Sequence, residues 1–352
     1  TQIVEKKVKE ADVVTGHDLV ASEPAWLTIY QDGSVYRMPV GPSILENKLP
    51  AAFVHADARD SIVVVTERGQ AGVIPAHQIS GQGMPVAEVF GVPSDQRVMA
   101  ALAYPKDVPD LPGYLFMATR QGVVKRVTLV DLVQAFGSFS LMNVADDDAI
   151  VAVRVTPGES EVILASAKGQ AIRFSEEDVR PMGFNAGGVA GMKLIDNDQV
   201  VGMDMIQPRS DLLLLTQNGL GKRAPLAEFP KQGRAGQGVV AFKLGAADQV
   251  IGATVVQPSD QVAVVTSRGK SKLIKARSAQ GAPRAAAGSS AYHLTKTEKV
   301  LVLIKPNERV SGQTAASAAA PKDKATEAKA MPAAQPKEIK PTPAKKISRR
   351  TK

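Results

Sequence analysis

The chain of 352 residues carries 43 Lys/Arg against 35 Asp/Glu and has no cysteine, which excludes disulfides and thiolate metal sites. Its hydrophobic content of 44% with only 4% aromatics describes a large core packed by Val, Leu, Ile and Ala. No apolar run approaches the roughly 18 residues of a membrane span, and no secretory segment or membrane partner is expected. The excess charge is local: residues 311–352 hold 10 Lys/Arg against 3 Asp/Glu, so the rest of the chain is nearly neutral.

Residues 1–25, opening TQIVEKKVKE, read as a charged linker or helix end. From Trp26 a pattern recurs in which an apolar run enters a glycine turn and leaves as a short basic strand. It stands at WLTIYQDGSVYR, IVVVTERGQAGVI, LFMATRQGVVKRV, VILASAKGQAIRF, DLLLLTQNGLGKR and VAVVTSRGKSKLI, with turn glycines Gly33, Gly69, Gly122, Gly169, Gly219 and Gly269. Each copy reads as a β-hairpin, and the spacing of about 50 residues between the last glycines is that of a radial β architecture. Asp148, Asp198 and Asp248 open strands 21 residues before their turn glycines, and Glu298 opens one that no hairpin follows. The first hairpin has no such strand ahead of it. Strand 299–304 is therefore expected to pair with the Trp26 hairpin and close the ring, removing two sheet edges. Residues 26–310 form the array, and 311–352, rich in Ala, Pro and Lys, cannot bury enough surface to order.

The strings FMATRQGVVKR, VRPMGFNAGGV and TQNGLGKR resemble the C-terminal domain of the bacterial gyrase A and topoisomerase IV A subunits, over roughly residues 18–304. The resemblance implies an all-β, six-bladed β-pinwheel with strands exchanged between adjacent blades. It also implies a non-catalytic, DNA-wrapping part of an ATP-dependent type IIA topoisomerase of the bacterial cytoplasm, associated with the nucleoid. Its partners would be double-stranded DNA and the catalytic core, that is the breakage-reunion domain and the ATPase B subunit. No cofactor is called for. The family box Q-R-R-G-G-K-G is missing from the connection after the first hairpin, residues 38–53, and a partial echo, QGRAGQG, stands at 232–238. Gyrase-type wrapping and the weaker mode of topoisomerase IV relatives both stay open. None of Tyr30, Tyr36, Tyr104, Tyr114 or Tyr292 has the arginine-flanked context of the family's cleavage tyrosine.

The binding residues expected are the cations around the turns. Arg37, Arg126, Arg173 and Arg223 lie four residues past their glycines, with Lys125, Lys222 and Lys272 one position earlier. Arg120, Lys168, Arg268 and Lys270 flank the glycines, and Lys231, Gln232 and Arg234 belong to the box echo. In a ring these positions face one way, so they are expected to contact phosphates without reading sequence. Val73 in the second blade leaves a gap, and the fifth repeat, with Lys222, Arg223 and the echo, is where the strongest contact is expected. The alternative is a propeller that binds proteins. Lys345, Lys346, Arg349 and Arg350 would add attraction for nucleic acid. Asp146, Asp147, Asp148, Asp196 and Asp198 read as turn residues, with no metal site.

Overall fold

The glycine turns fold as tight hairpins whose chemistry accounts for the motif. The computed structural model describes residues 20–306 apart from 39, 40, 43, 82, 106, 107 and 109. The six turn glycines take φ between 71° and 81°, a left-handed conformation that a Cβ disfavours. Each glycine N–H bonds the carbonyl three residues earlier. The hydroxyls of Thr66, Thr119, Ser166 and Thr216 accept the N–H just past the glycine at 3.1–3.2 Å. A T-x-x-G or S-x-x-G turn thus satisfies its own backbone.

Six sheets result, one per blade. Their hairpins run Pro24–Tyr30 with Ser34–Met38, Asp60–Thr66 with Gln70–Pro75, and Tyr114–Thr119 with Val123–Thr128. Glu161–Ser166 with Gln170–Ser175, Asp211–Thr216 with Leu220–Pro225, and Gln261–Thr266 with Ser271–Lys275 complete the set. On its other side the first strand of each hairpin pairs with an inner strand: Pro50–Asp57, Val98–Pro105, Ile150–Thr156, Val200–Met205, Val250–Val256 and Val300–Ile304. Ala51, Met99, Val151, Val201, Ile251 and Leu301, one from each inner strand, line a common axial cavity. The middle strand of a blade is covered on both faces by neighbouring blades, so it is a continuous apolar run and not an alternation. Ile62–Val65, Leu115–Ala118, Val162–Ala165, Leu212–Leu215 and Val262–Val265 are all at most 3% exposed. Each such Val, Leu or Ile contributes about 1.5–3 kcal/mol of burial.

Blades one to five gain a fourth strand from the connection that follows the next hairpin. These strands are Met84–Pro85, Gly137–Ser140, Val189–Ala190, Val239–Val240 and Ser289–Ser290. In blades two to five the exchanged segment gives two N–H groups to the carbonyl of the turn glycine, at 2.7–3.2 Å. A Cβ on Gly122 would stand 2.6 Å from the Met192 carbonyl, so glycine is required there for close approach as well as for φ. Among the described residues blade six has three strands.

Ring closure differs from the expectation of a strand 299–304 on the Trp26 hairpin. Val300–Ile304 pairs with the sixth hairpin, and the Trp26 hairpin pairs with its own Pro50–Asp57. The acidic residues explain the shift of frame, because each holds the turn upstream of it and not the one downstream. Asp148, Asp198 and Asp248 accept the N–H of Gln121, Lys168 and Asn218, respectively, at 2.9–3.3 Å, and Glu298 takes the Thr266 hydroxyl at 2.5 Å. A repeat is therefore a hairpin, a connection, an acidic turn and an inner strand. Between blades six and one, the described closure bond is Asn47 N–H to the Gly269 carbonyl at 3.4 Å. The expected segments before residue 20 and beyond 306, including the basic tail, lie outside the described residues.

Glu298 is expected to make blade six acid-sensitive. The Thr266 hydroxyl, and then the Thr295 N–H and hydroxyl, hold its carboxyl down to about 2 from an ordinary 4.5. A depressed carboxyl stabilises the fold fully above its unfolded value and loses that contribution as pH falls through 4.5 toward 2. Amide exchange in residues 261–275 and 300–304 is expected to speed up across that window in the wild type and to stay flatter in Glu298→Gln. Parallel profiles for the two proteins would remove Glu298 as the cause.

Candidate nucleic-acid interface

The strand cations expected on the rim are in register, as the repeat implies, but most are occupied. Lys125 is fully buried, and its ammonium donates to the carbonyls of Leu141 (2.7 Å), Phe184 (2.5 Å) and Ala186 (3.0 Å). Lys222 does the same in blade five, with Pro283, Arg284 and Ala286 at 2.7–2.8 Å. Burial pulls both ammonium groups down to about 8; at Lys222, Glu228 opposes and Arg284 adds to the effect. These lysines clasp the connection that arrives from the next blade.

The arginines one position later act similarly. Arg126 is 6% exposed, lies 4.2 Å from the Tyr114 ring centroid and approaches Glu176 at 3.7 Å. Arg173 pairs with Glu161 and donates to the carbonyls of Leu226 and Phe229. Arg223 pairs with Asp211 and donates to Ala279. Arg37 pairs with Glu23 at 3.0 Å. Arg120 donates to the Asp147 carbonyl and Lys168 to that of Asp196.

In the box echo, Lys231 is half-exposed beside Glu161 at 3.3 Å, and the Gln232 N–H bonds the Arg173 carbonyl. Arg234 reaches back to the carbonyls of Asp178 and Ala190, both at 3.0 Å. Arg284 repeats this one blade on, donating to Val240. The echo is thus part of the blade-to-blade joint. The fifth repeat, expected to be the strongest contact, spends Lys222 and Arg223 on packing, because a connection crosses both of them.

Blade six is different, because among the described residues no connection pairs along its outer strand. Arg268, Lys270 and Lys272 of the expected set are exposed there, and Lys275, Arg277 and Lys296 join them. Among the described residues, Lys272, Lys275, Arg277 and Lys296 have no side-chain hydrogen bond or ion pair, while Arg268 donates only to the Thr297 hydroxyl. Residues 261–297 contain seven Lys/Arg and no Asp/Glu, whereas 20–210 contain 15 Lys/Arg against 22 Asp/Glu. The near-neutral body hides a polarised ring with a strongly cationic last blade. Exposed Lys193 and Lys243, in equivalent positions after the exchanged strands, extend it weakly toward blades four and five. The sequence reading missed Lys275, Arg277 and Lys296 because it followed the turn glycines; a running charge count over 261–297 shows them at once.

Asp148, Asp198 and Asp248 are turn ligands through their carboxylates, and no cluster suited to a metal occurs among the described residues. Tyr30 and Tyr104 are buried, and burial raises Tyr104 to about 12 despite a hydrogen bond with Ser61. No helix among the described residues is long and apolar enough to cross a membrane.

Six sheets about one axis, with strands exchanged between neighbours, define a β-propeller of the pinwheel type. The chain belongs to the DNA gyrase C-terminal domain, beta-propeller family, whose model matches residues 113–157, 160–207, 210–257 and 260–306, more than half its length. The DNA gyrase A subunit of Staphylococcus epidermidis (strain ATCC 12228 / FDA PCI 1200) is 26% identical over 196 residues, covering 50% of this chain and 22% of that protein. Its counterpart from Staphylococcus aureus (strain MRSA252) is 25% identical over the same length. The chain thus matches less than a quarter of these relatives. Among solved structures, the C-terminal domain of DNA topoisomerase IV superposes with a TM-score of 0.71 at 26% identity, over 85% of this chain and 98% of that one. The DNA gyrase A C-terminal domain superposes at 0.68 and 21% identity, over 81% and 100%, and shares the fold.

Proposed function

We propose that the chain is a non-cleaving, DNA-binding accessory module of an ATP-dependent type IIA topoisomerase, with blade six as its anchor. The supporting observation is the exposed cationic surface of Lys270, Lys272, Lys275, Arg277 and Lys296 on a blade without a carboxylate from 261 to 297, the last four without a side-chain hydrogen bond or ion pair among the described residues. Such a surface holds phosphates by charge and counterion release, without base readout. Blades one to four are net acidic, so duplex DNA is held over part of the ring and bent locally, with Lys193 and Lys243 guiding its departure. Bending a site of 20–30 base pairs costs on the order of 1–6 kcal/mol, which a handful of phosphate contacts offsets. Family membership supports the topoisomerase setting in the bacterial cytoplasm, where the breakage-reunion domain and the ATPase B subunit would be its partners.

Two measurements on one preparation test this reading. Affinity for a short duplex should fall steeply with salt, with a log–log slope of about −5 for six contacts. In a relaxed plasmid treated with a nicking-closing enzyme, the linking-number change per bound protein should be small, as bending over an arc requires. Absence of duplex binding at low salt would sink the proposal, and a full turn of wrapping would overturn the partial path.

A further inference from the structure

We propose that the outer edge of blade six binds an acidic, extended peptide segment of a partner protein, which adds there as the blade's fourth strand. Charge alone does not define this site; a row of backbone groups does. In blades three to five the carbonyls of Arg126, Arg173 and Arg223 accept the N–H groups of Met182, Gln232 and Ala282 at 2.8–2.9 Å, and the Arg223 N–H is given to Gln280. Leu273 holds the same place in the register of blade six, paired with Ala263 as Arg173 pairs with Ile163. Among the described residues its outward N–H and carbonyl meet no such segment. The Gly269 carbonyl, whose counterparts in blades two to five each take two N–H groups, takes one among the described residues, from Asn47 at 3.4 Å.

The side chains repeat the message. Lys272 occupies the register position of Lys125 and Lys222, opposite Val264 as those stand opposite Met117 and Leu214. Lys222 clasps three backbone carbonyls of the incoming segment and Lys125 clasps two, with a third from Leu141 of its own connection, whereas Lys272 is exposed and clasps none among the described residues. The edge is therefore equipped to receive a peptide backbone, which is the geometry of β-strand addition.

The charge of the blade selects the occupant. Lys270, Lys272, Lys275 and Arg277 border the edge, with no carboxylate between 261 and 297, so an acidic strand is favoured. A second copy would bring the same cations edge to edge. Residues 307–352, with 11 Lys/Arg against 4 Asp/Glu, are repelled as well. The connection after the first hairpin is the topological candidate, but it is tied to blade one. The Leu45 N–H bonds the Tyr30 hydroxyl at 2.8 Å, and Lys48 holds Asp32 and Ser34 at 2.5 and 2.8 Å.

The test uses the full chain and an eight-residue peptide of alternating valine and glutamate. Its controls are the valine and lysine counterpart and the acidic peptide N-methylated on the residues that face the edge. The acidic peptide should bind at least tenfold tighter than either control and should slow amide exchange at Leu273. Lys272→Glu, at an exposed position, should weaken it about tenfold while leaving unfolding unchanged. Equal binding of the N-methylated peptide would reduce the site to charge alone and overturn the proposal. So would exchange at Leu273 that is unmoved by peptide, already slow in the free chain because residues 41–46 cover the edge, or slowed as much by duplex DNA.

Discussion

Reversing four charges on blade six, Lys270→Glu, Lys272→Glu, Lys275→Glu and Arg277→Glu, is expected to weaken duplex binding at least a hundredfold. The same variant should flatten the log–log salt slope by three to four units, since each phosphate no longer neutralised removes about 0.9. All four side chains are exposed and none is engaged in packing, so melting should shift little. The informative comparison is Arg173→Ala in blade four. That arginine holds Glu161 and two carbonyls of the next connection, so its loss should lower stability and leave the salt slope nearly untouched. Binding by gel retardation or anisotropy across a salt series, alongside thermal unfolding, separates the two outcomes. If the arginine variant lost the larger part of the slope, the phosphate track would follow the turns and not blade six.

The contrast between these variants shows what was legible beforehand. The six hairpins, their glycine turns and the radial fold follow from T-x-x-G spacing, because each turn is satisfied locally by its own threonine or serine. The recurrence of Lys125, Lys222 and Lys272 is legible too, yet its meaning is not. The same residue in the same register is buried under three carbonyls in blades three and five and stands in the open in blade six. What differs is whether a connection from the following blade crosses the strand, and that depends on acceptors about 60 residues away. Arg234 of the box echo is engaged for the same reason, since its acceptors belong to the preceding connection.

The strand frame was misjudged on a smaller point. Asp148 precedes one turn glycine by 21 residues and follows another by 26, and spacing alone does not say which turn its carboxylate caps. The hydrogen bond to Gln121 decides for the upstream turn. That choice also settles why the last acidic strand needs no hairpin after it, since it completes blade six.

Asp204→Ala is expected to destabilise the propeller by about 3–5 kcal/mol, the cost of breaking a buried ion pair from one side. Asp204 lies on the inner strand of blade four, 7% exposed, between Arg154 of blade three and Thr254 of blade five. Arg154 Nε donates to Oδ1 at 3.2 Å, while the Thr254 hydroxyl and the Val255 N–H donate to Oδ2 at 2.6 and 2.9 Å. Burial alone would push this carboxyl up, but Arg154, followed by Thr254, Lys305 and Val255, outweighs it and holds the group below the usual carboxylate range. The alanine leaves a partly buried guanidinium, a hydroxyl and the N–H groups of Met205 and Val255 without their acceptor, and it does so at a joint among three blades. Because the carboxyl is depressed, its contribution is complete above about pH 4 and fades as pH falls, so the gap between wild type and variant should narrow in acid. Denaturant unfolding at neutral pH and near pH 3 measures both effects. A gap below about 1 kcal/mol at neutral pH would mean that water replaces the carboxylate at the axis, and the joint would then rest on the apolar packing of the inner strands.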